Sequence, residues 1–229
     1  MRSSAICQTT LILCLAISCN NYDLLEKIEN PGGEKERYSD RLFIFATTQT
    51  TQGNLTGLNA GSCGGSGLAR ADCVCTALAA QHHRRMGPDR RFIAWLSTSV
   101  EWARCRMLGG GGNACTSPTG AFTWYNTAMQ PVFTSYEATA TGLLGNAPAL
   151  PNATQFTENG AMAPAVANDV WTGTALGGTN GTTHCAGWTD GTNASTADTG
   201  TVFHTGTSWT ASTAMACDIF KRIYCIALP

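Results

Sequence analysis

The 229-residue sequence contains little charge. Asp, Glu, Lys and Arg together make up 13% of the residues, and the formal net charge at pH 7 is −1. An average soluble protein has about twice that charged share. Nucleic-acid-binding proteins concentrate positive charge to attract phosphates, so we predict no nucleic-acid partner. Beyond residue 20 no apolar run is long enough to span a bilayer, although 43% hydrophobic residues suffice for a core.

The common catalytic motifs are absent. No Gly-x-Ser-x-Gly nucleophile elbow occurs, and the nearest sequence, Gly64–Gly67, has the wrong spacing. The glycine run Gly109–Gly112 lacks the Lys-Ser/Thr that completes a phosphate-binding loop. We therefore predict that the protein is not an enzyme.

Metal-binding patterns are also missing. His82 and His83 are adjacent, and on a helix their side chains diverge by about 100°, so they cannot readily share an ion. Cys73-x-Cys75 lacks the second ligand pair of a zinc site. We predict no metal and no cofactor.

The first residues have the pattern of an export signal. A single charge, Arg2, precedes a mostly apolar stretch, and the next charge is Asp23. This pattern predicts a signal peptide over residues 1–18. Leu15–Cys19 resembles a bacterial lipoprotein box, in which the cysteine is lipidated and becomes the new first residue. We expect lipidation at Cys19, with plain secretion as the alternative.

The next segment has the composition of a tether. Residues 19–40 mix acidic and basic side chains, and Pro31–Gly33 interrupts any helix. We predict a lipidated, flexible N-terminus followed by one domain over residues 41–229. The expected location is the cell envelope after export, at the outer membrane and exposed on the surface. The membrane contact would be made through the lipid alone.

The cysteine count supports export. Of 11 cysteines, two lie in the predicted signal peptide, and lipid would occupy Cys19. The remaining even number suits a closed set of disulfides in an oxidising compartment. Those eight residues are Cys63, Cys73, Cys75, Cys105, Cys115, Cys185, Cys217 and Cys225.

Apolar patterning predicts a first strand at Leu42–Phe45 and an amphipathic helix over residues 68–86. Positions two apart on a helix point about 160° away from each other, so Cys73 and Cys75 cannot bond each other there. Cys75 lies on the apolar face and suits a buried, long-range bridge. Cys73 suits Cys63 in the preceding loop.

Further along, Phe92–Leu96 has the composition of a buried strand or core segment, and Arg222–Leu228 that of a last strand. Cys105 and Cys115 flank a glycine-rich loop that a local bridge would close. No Lys or Arg occurs from Met107 to Ala216, where we expect loops and short strands. Four spaced tryptophans mark this stretch: Trp124, Trp171, Trp188 and Trp209.

Six short motifs follow one another along the chain: Ala71–Cys75, Arg91–Ser97, Asp169–Gly173, Cys185–Trp188, Ala216–Cys217 and Ile223–Ile226. In this order they resemble the endostatin domain, which has a C-type-lectin-like fold, and in particular the leptospiral endostatin-like lipoproteins. The resemblance covers about residues 41–229.

The resemblance implies an α+β fold that is loop-rich and disulfide-stabilised, with short antiparallel strands and one or two helices. It implies that Cys75 pairs with Cys225 and Cys185 with Cys217, which leaves the other four cysteines to pair locally. It also implies that the first and last strands lie side by side. The histidine-rich zinc site of mammalian endostatin has no counterpart in this sequence.

A basic cluster is the best positive sign of binding. Between residues 70 and 106 the chain has seven arginines and three acidic residues. Arginine favours paired contacts with carboxylates or sulfates, although a solvated helix end would explain the same cluster. The candidate ligand-binding residues are Arg84, Arg85, Arg90, Arg91, Arg104 and Arg106.

Two hypotheses of function remain. In the first, which follows from the resemblance, the domain is an adhesin for laminin, fibronectin, plasminogen, complement factor H or heparin-like glycans. Its contact would lie at Arg84–Arg106, with exposed Trp or Tyr as anchors. In the second, it is a metal-independent carbohydrate-binding or structural envelope module, in which the tryptophans after Met107 stack on sugars. An enzyme of the same broad fold is a weaker third hypothesis.

Overall fold

The structure is a computed structural model. It describes residues 41–60, 62–82, 86, 90–115, 122–134 and 150–229, all within a compact unit, Tyr38–Pro229. The predicted signal peptide, Cys19 and the predicted tether lie outside the described residues, as do Arg84 and Arg85.

The described residues form a mixed α+β fold with more strands than helices. Three single turns of 3-10 helix lie at Ala165–Ala167, Leu176–Gly178 and Thr207–Trp209. The other elements, in chain order, are β1 Leu42–Ala46, α1 Gly67–Gln81, β2 Phe92–Ala94, α2 Ala103–Arg106, β3 Trp124–Tyr125, β4 Pro131–Phe133, β5 Asp169–Trp171, α3 Cys185–Trp188, β6 Thr196–Thr201, β7 Thr213–Ala216 and β8 Arg222–Ala227.

Strand β8 is the centre of the sheet, whose order is β4-β3-β1-β8-β5-β6-β7 with β2 also paired to β8. It runs antiparallel to β1, with Ile226 opposite Ile44, and parallel to β5, with Arg222 opposite Val170. Every residue of β1 and β8 is buried. Burial on both faces explains why their sequences are nearly continuous apolar runs. The expected pairing of the first and last strands is confirmed.

Helix α1 covers one side of β2. Its buried face includes Ala71, Val74 and Leu78, spaced three and four residues apart as an amphipathic helix requires. Thr76 on this helix donates its hydroxyl to the carbonyl of Phe92 at 3.0 Å. The described helix ends at Gln81, whereas the predicted helix extended to residue 86; residues 83–85 lie outside the described part.

Tryptophans fill much of the core. Trp95, Trp124, Trp171, Trp188 and Trp209 are at most 1% exposed. Most of their indole N–H groups bond to loop or strand backbone, which satisfies a donor that burial would otherwise leave unpaired. For example, those of Trp124, Trp171 and Trp188 donate to the carbonyls of Ala227, Thr51 and Ser97, each at 2.9 Å. These bonds hold distant segments of chain against the core.

All eight cysteines of the domain are disulfide-bonded. The pairs are those expected from the helix faces and the resemblance: Cys63–Cys73, Cys75–Cys225, Cys105–Cys115 and Cys185–Cys217. The second joins α1 to β8 across 150 residues of chain. Among the described residues, no helix combines the length and the apolar character needed to cross a membrane.

Candidate binding surfaces

Arg106, one of the candidate ligand-binding residues, is used inside the domain. Its side chain is only 6% exposed and forms an ion pair with Asp72. It also donates to the carbonyls of Ala94 at 2.9 Å and Leu96 at 2.8 Å. The guanidinium therefore joins α2, α1 and the end of β2. The expectation that Arg106 contacts a partner is wrong, because its donors are spent on buried acceptors.

Arg70, another arginine of the basic cluster, has a similar structural role. It donates to the carbonyls of Leu55, Leu58 and Cys63 at 3.0, 2.9 and 2.9 Å. Five donors in a rigid fork make arginine suited to collecting carbonyls that no strand or helix satisfies. Arg70 thus fixes the loop before α1 to the first turn of that helix.

The remaining described candidates differ in exposure and in contacts. Arg104 is half-buried and lies over the Trp102 ring, 5.4 Å from its centroid. Arg90 is half-buried and donates to the Leu228 carbonyl at 3.4 Å, whereas Arg91 is exposed. Their role in binding stays a prediction, as does that of the two candidates outside the described residues.

The tryptophans after Met107 do not form a sugar-stacking surface. Trp124, Trp171 and Trp188 are fully buried, and Trp209 is 1% exposed. Aromatic stacking on a sugar needs a ring face open to solvent. The hypothesis that these residues stack on carbohydrates is therefore wrong.

Buried ionic contacts organise the end of the sheet at which β8 begins. Arg222 is buried and donates to the carbonyls of Thr48 at 2.6 Å and Ala167 at 3.2 Å. Burial lowers the pKa of this guanidinium, and the nearby Glu158 carboxylate opposes the shift. Glu158 in turn accepts from the backbone N–H of Thr48 at 2.8 Å. These contacts attach the segment between residues 158 and 167 to the sheet.

Exposed apolar side chains lie on the segments that these contacts hold at the start of β8. Val166 is 99% exposed in the 3-10 turn, and Phe220 and Ile219 are 57% and 40% exposed in the β7–β8 turn. Met162, 57% exposed, precedes Val166 on a loop whose residue Phe156 accepts a hydrogen bond from the Ala46 N–H at the end of β1. We name Met162, Val166, Ile219 and Phe220 the apolar end. No pattern in the sequence brings these four residues together.

Helix α3 is a left-handed turn that the sequence analysis did not predict. All four residues of α3 have positive φ: 48° at Cys185, 52° at Ala186, 71° at Gly187 and 68° at Trp188. Such backbone costs about 1–2 kcal/mol for each residue other than glycine. The disulfide at Cys185, the indole bond of Trp188 and the bond from the Gly187 N–H to His184 Nδ1, at 2.9 Å, hold it in place. The single Gly187 is too weak a signal to predict it.

Polar side chains near this turn do not form a metal site. Hydroxyls of Ser195 and Thr192 lower the pKa of Asp190, which is partly exposed. Within the described ranges, no group of three or more His, Cys, Asp or Glu residues is placed to hold an ion. The chain matches no protein-family model, and no curated protein matches its sequence.

Proposed function

We propose that the protein is an exported, lipid-anchored binding domain of the leptospiral endostatin-like kind, which attaches to host extracellular-matrix or plasma proteins. Laminin, fibronectin, plasminogen and complement factor H are the partners that the resemblance implies. Binding would be noncovalent and would need no cofactor.

The complete pairing of the cysteines is the observation that carries the proposal. Disulfides form and persist in oxidising compartments outside the cytoplasm. Eight cysteines in four pairs leave no thiol in residues 41–229. This agrees with export through the signal-like segment at residues 1–18 and with a separate fate for Cys19.

The topology supports the C-type-lectin-like part of the proposal. β1 and β8 pair near the two ends of the domain, and Cys75–Cys225 ties the first helix to the last strand. The second family pair, Cys185–Cys217, is also present. We propose the endostatin-like fold on these three features and the order of the sequence motifs.

The cross-links also favour a binding surface that is fixed before the partner arrives, as opposed to one that becomes ordered on binding. Ordering a mobile loop on binding costs free energy, and a surface that is already fixed avoids much of that cost. The disulfides and the buried tryptophan and arginine contacts fix several loops of the domain before any partner arrives. A domain built in this way suits the presentation of a constant surface to a protein partner.

The test measures binding of the purified, oxidised protein to laminin, fibronectin, plasminogen, factor H, heparin and neutral glycans, at low and high salt. Saturable binding to one of the four proteins, lost after reduction and alkylation of the thiols, would support the proposal. Binding to neutral glycans alone, independent of salt, would favour the envelope carbohydrate module. A protein with all thiols paired that binds no host protein would refute the adhesin function.

The anchor is tested separately. A cell producing the protein with a labelled fatty acid should incorporate the label, and a Cys19→Ser variant should not. Label retained in that variant would refute lipidation at Cys19, and an unlabelled but exported protein would indicate plain secretion.

A further inference from the structure

We infer that the apolar end is the surface that contacts the partner, which presents an apolar cavity bordered by a basic side chain. The inference rests on the proposed function, because it names the surface through which that binding would occur. It moves the contact away from the arginine region.

The strand register places the parts of this surface at one end of the sheet. β5 and β8 are parallel and in register, and Lys221 forms an ion pair with Asp169 at 2.6 Å just where both strands begin. The residues that precede the two strands, Val166 on one side and Phe220 on the other, therefore leave the sheet at the same end. The bond from Arg222 to the Ala167 carbonyl closes the gap between them.

The exposed residue types are unusual for these positions. Tight turns favour Gly, Asn, Asp, Pro and Ser, whereas the turn between β7 and β8 carries Ile219 and Phe220. Single exposed apolar residues are ordinary, but several on adjacent turns of one end form a patch. Aromatic and methionine side chains are enriched where proteins bind each other, and this patch has one of each.

The backbone beneath the patch is fixed. Cys217, which opens the β7–β8 turn, is disulfide-bonded to Cys185. At the other side of the turn, Lys221 and Thr51 exchange two backbone hydrogen bonds, of 2.7 and 2.9 Å. Phe220 is thus displayed from a turn that is pinned on both sides, so its ordering on binding costs little.

The patch lies at the end of the sheet opposite to the start of β1. The preceding chain enters at Arg41, beside the first residue of β1, whereas the apolar end lies beyond the last residue of β1 and the first of β8. At about 3.4 Å per residue, β1 alone separates the two ends by roughly 14 Å. Arg91 lies at the entry side, where its carbonyl accepts from the Leu228 N–H at 3.0 Å. Arg91 and the apolar end therefore lie at opposite ends of the sheet.

The charges beside the apolar end indicate what kind of partner it would bind. Asp169 neutralises the ammonium group of Lys221, while Asp218 is exposed next to Ile219. The exposed charge next to Ile219 is therefore the Asp218 carboxylate, which favours a partner with a basic side chain. An anionic lipid surface would be repelled, and a symmetric contact with a second copy would bring two Asp218 carboxylates together.

The experiment compares the oxidised protein with a Val166→Ser/Phe220→Ser variant on immobilised laminin, fibronectin, plasminogen and factor H, each as a separate probe. We expect the variant to lose at least about tenfold in affinity for the probe that the unaltered protein binds, because a few apolar anchors dominate most interfaces. Asp218→Lys should also weaken binding. Val100→Ser is the matched control, since Val100 is 67% exposed in the turn before α2, and it should change affinity less than about twofold.

The outcomes separate the inference from the proposed function. If the unaltered protein binds and the Val166→Ser/Phe220→Ser variant binds equally well, the surface is assigned wrongly while the function stands. Loss of binding in Arg91→Glu alone would return the contact to the arginine region. If the unaltered protein binds none of the four probes, both fail. The inference is also overturned if the double variant abolishes self-association in sedimentation, or binding to phosphatidylcholine vesicles, instead of probe binding.

Discussion

Removal of single disulfides should destabilise the domain in the order of the loops that they close. Cys75–Cys225 spans 150 residues, Cys185–Cys217 spans 32 and Cys63–Cys73 spans 10. In the chain-entropy account, a cross-link stabilises the folded state by restricting the unfolded chain, and more so for longer loops. The three bridges should contribute about 5, about 3.7 and about 2.7 kcal/mol to the free energy of unfolding.

The assay is urea unfolding of three paired Cys→Ala variants, with thiol titration to show that the remaining cysteines stay paired. The midpoint gives the change in stability, and the slope shows whether the unfolded state has expanded. Loss of the longest bridge removes a large part of a typical total of about 5–15 kcal/mol. Equal losses for the longest and the shortest bridge would refute the loop-entropy reasoning.

Burial provides a competing explanation that needs its own control. Cys75 and Cys225 are fully buried, whereas Cys73 is exposed, so alanine also leaves a cavity at the long bridge. A Cys75→Ala/Cys225→Val variant restores apolar volume without the cross-link. Loop entropy predicts that this variant stays close to the double alanine variant. Recovery of most of the stability would show that packing, not the cross-link, makes the larger contribution.

Three further changes test contacts inside the domain. Burial, and after it the charge of Asp169, raises the pKa of Tyr224. The stability associated with its neutral form should therefore be lost as the pH rises above about 10. Tyr224→Phe should remove this loss in urea titrations from pH 8 to 11. Arg106→Met should cost about 3–5 kcal/mol in urea unfolding because it removes the cation that pairs with Asp72 and a donor to each of two carbonyls, whereas Arg91→Met should change stability by less than about 0.5 kcal/mol. Hydroxyl bonds lower the pKa of Asp190, so its contribution to stability is present above about pH 4 and is lost as the pH falls through the lowered value; Asp190→Asn should reduce the acid dependence of the unfolding midpoint.

The elements that the sequence predicted correctly are those in which local pattern and tertiary burial agree. Strand β1 extends one residue beyond the predicted Leu42–Phe45, and β8 ends at Ala227, one residue before the end of the predicted strand. Both are apolar on both faces because they lie inside the sheet. The different disulfide partners of Cys73 and Cys75 were also predicted correctly, because positions two apart on a helix point to opposite faces.

The arginines could not be interpreted from sequence, because their partners are backbone carbonyls that composition does not reveal. Arg106 and Arg91 belong to the same basic cluster, yet one is 6% exposed and the other is open to solvent. What distinguishes them is that Arg106 donates to the Ala94 and Leu96 carbonyls at the end of β2. The prediction that the tryptophans stack on sugars failed for a related reason, because spacing in a loop-rich stretch gives no indication of which side chains are buried.

The placement of the apolar end depends on pairing between distant parts of the chain. Because β5 runs parallel to β8, residues near 166 and near 220 emerge together. Because β1 runs antiparallel to β8, the first residue of β1 lies at the other end of the sheet. Reversing either direction would bring Phe220 to the start of β1 or separate it from Val166. The arginine region was selected by its charge, but the described Arg91 lies at the end of β8 opposite to the apolar end, because its carbonyl accepts from the Leu228 N–H.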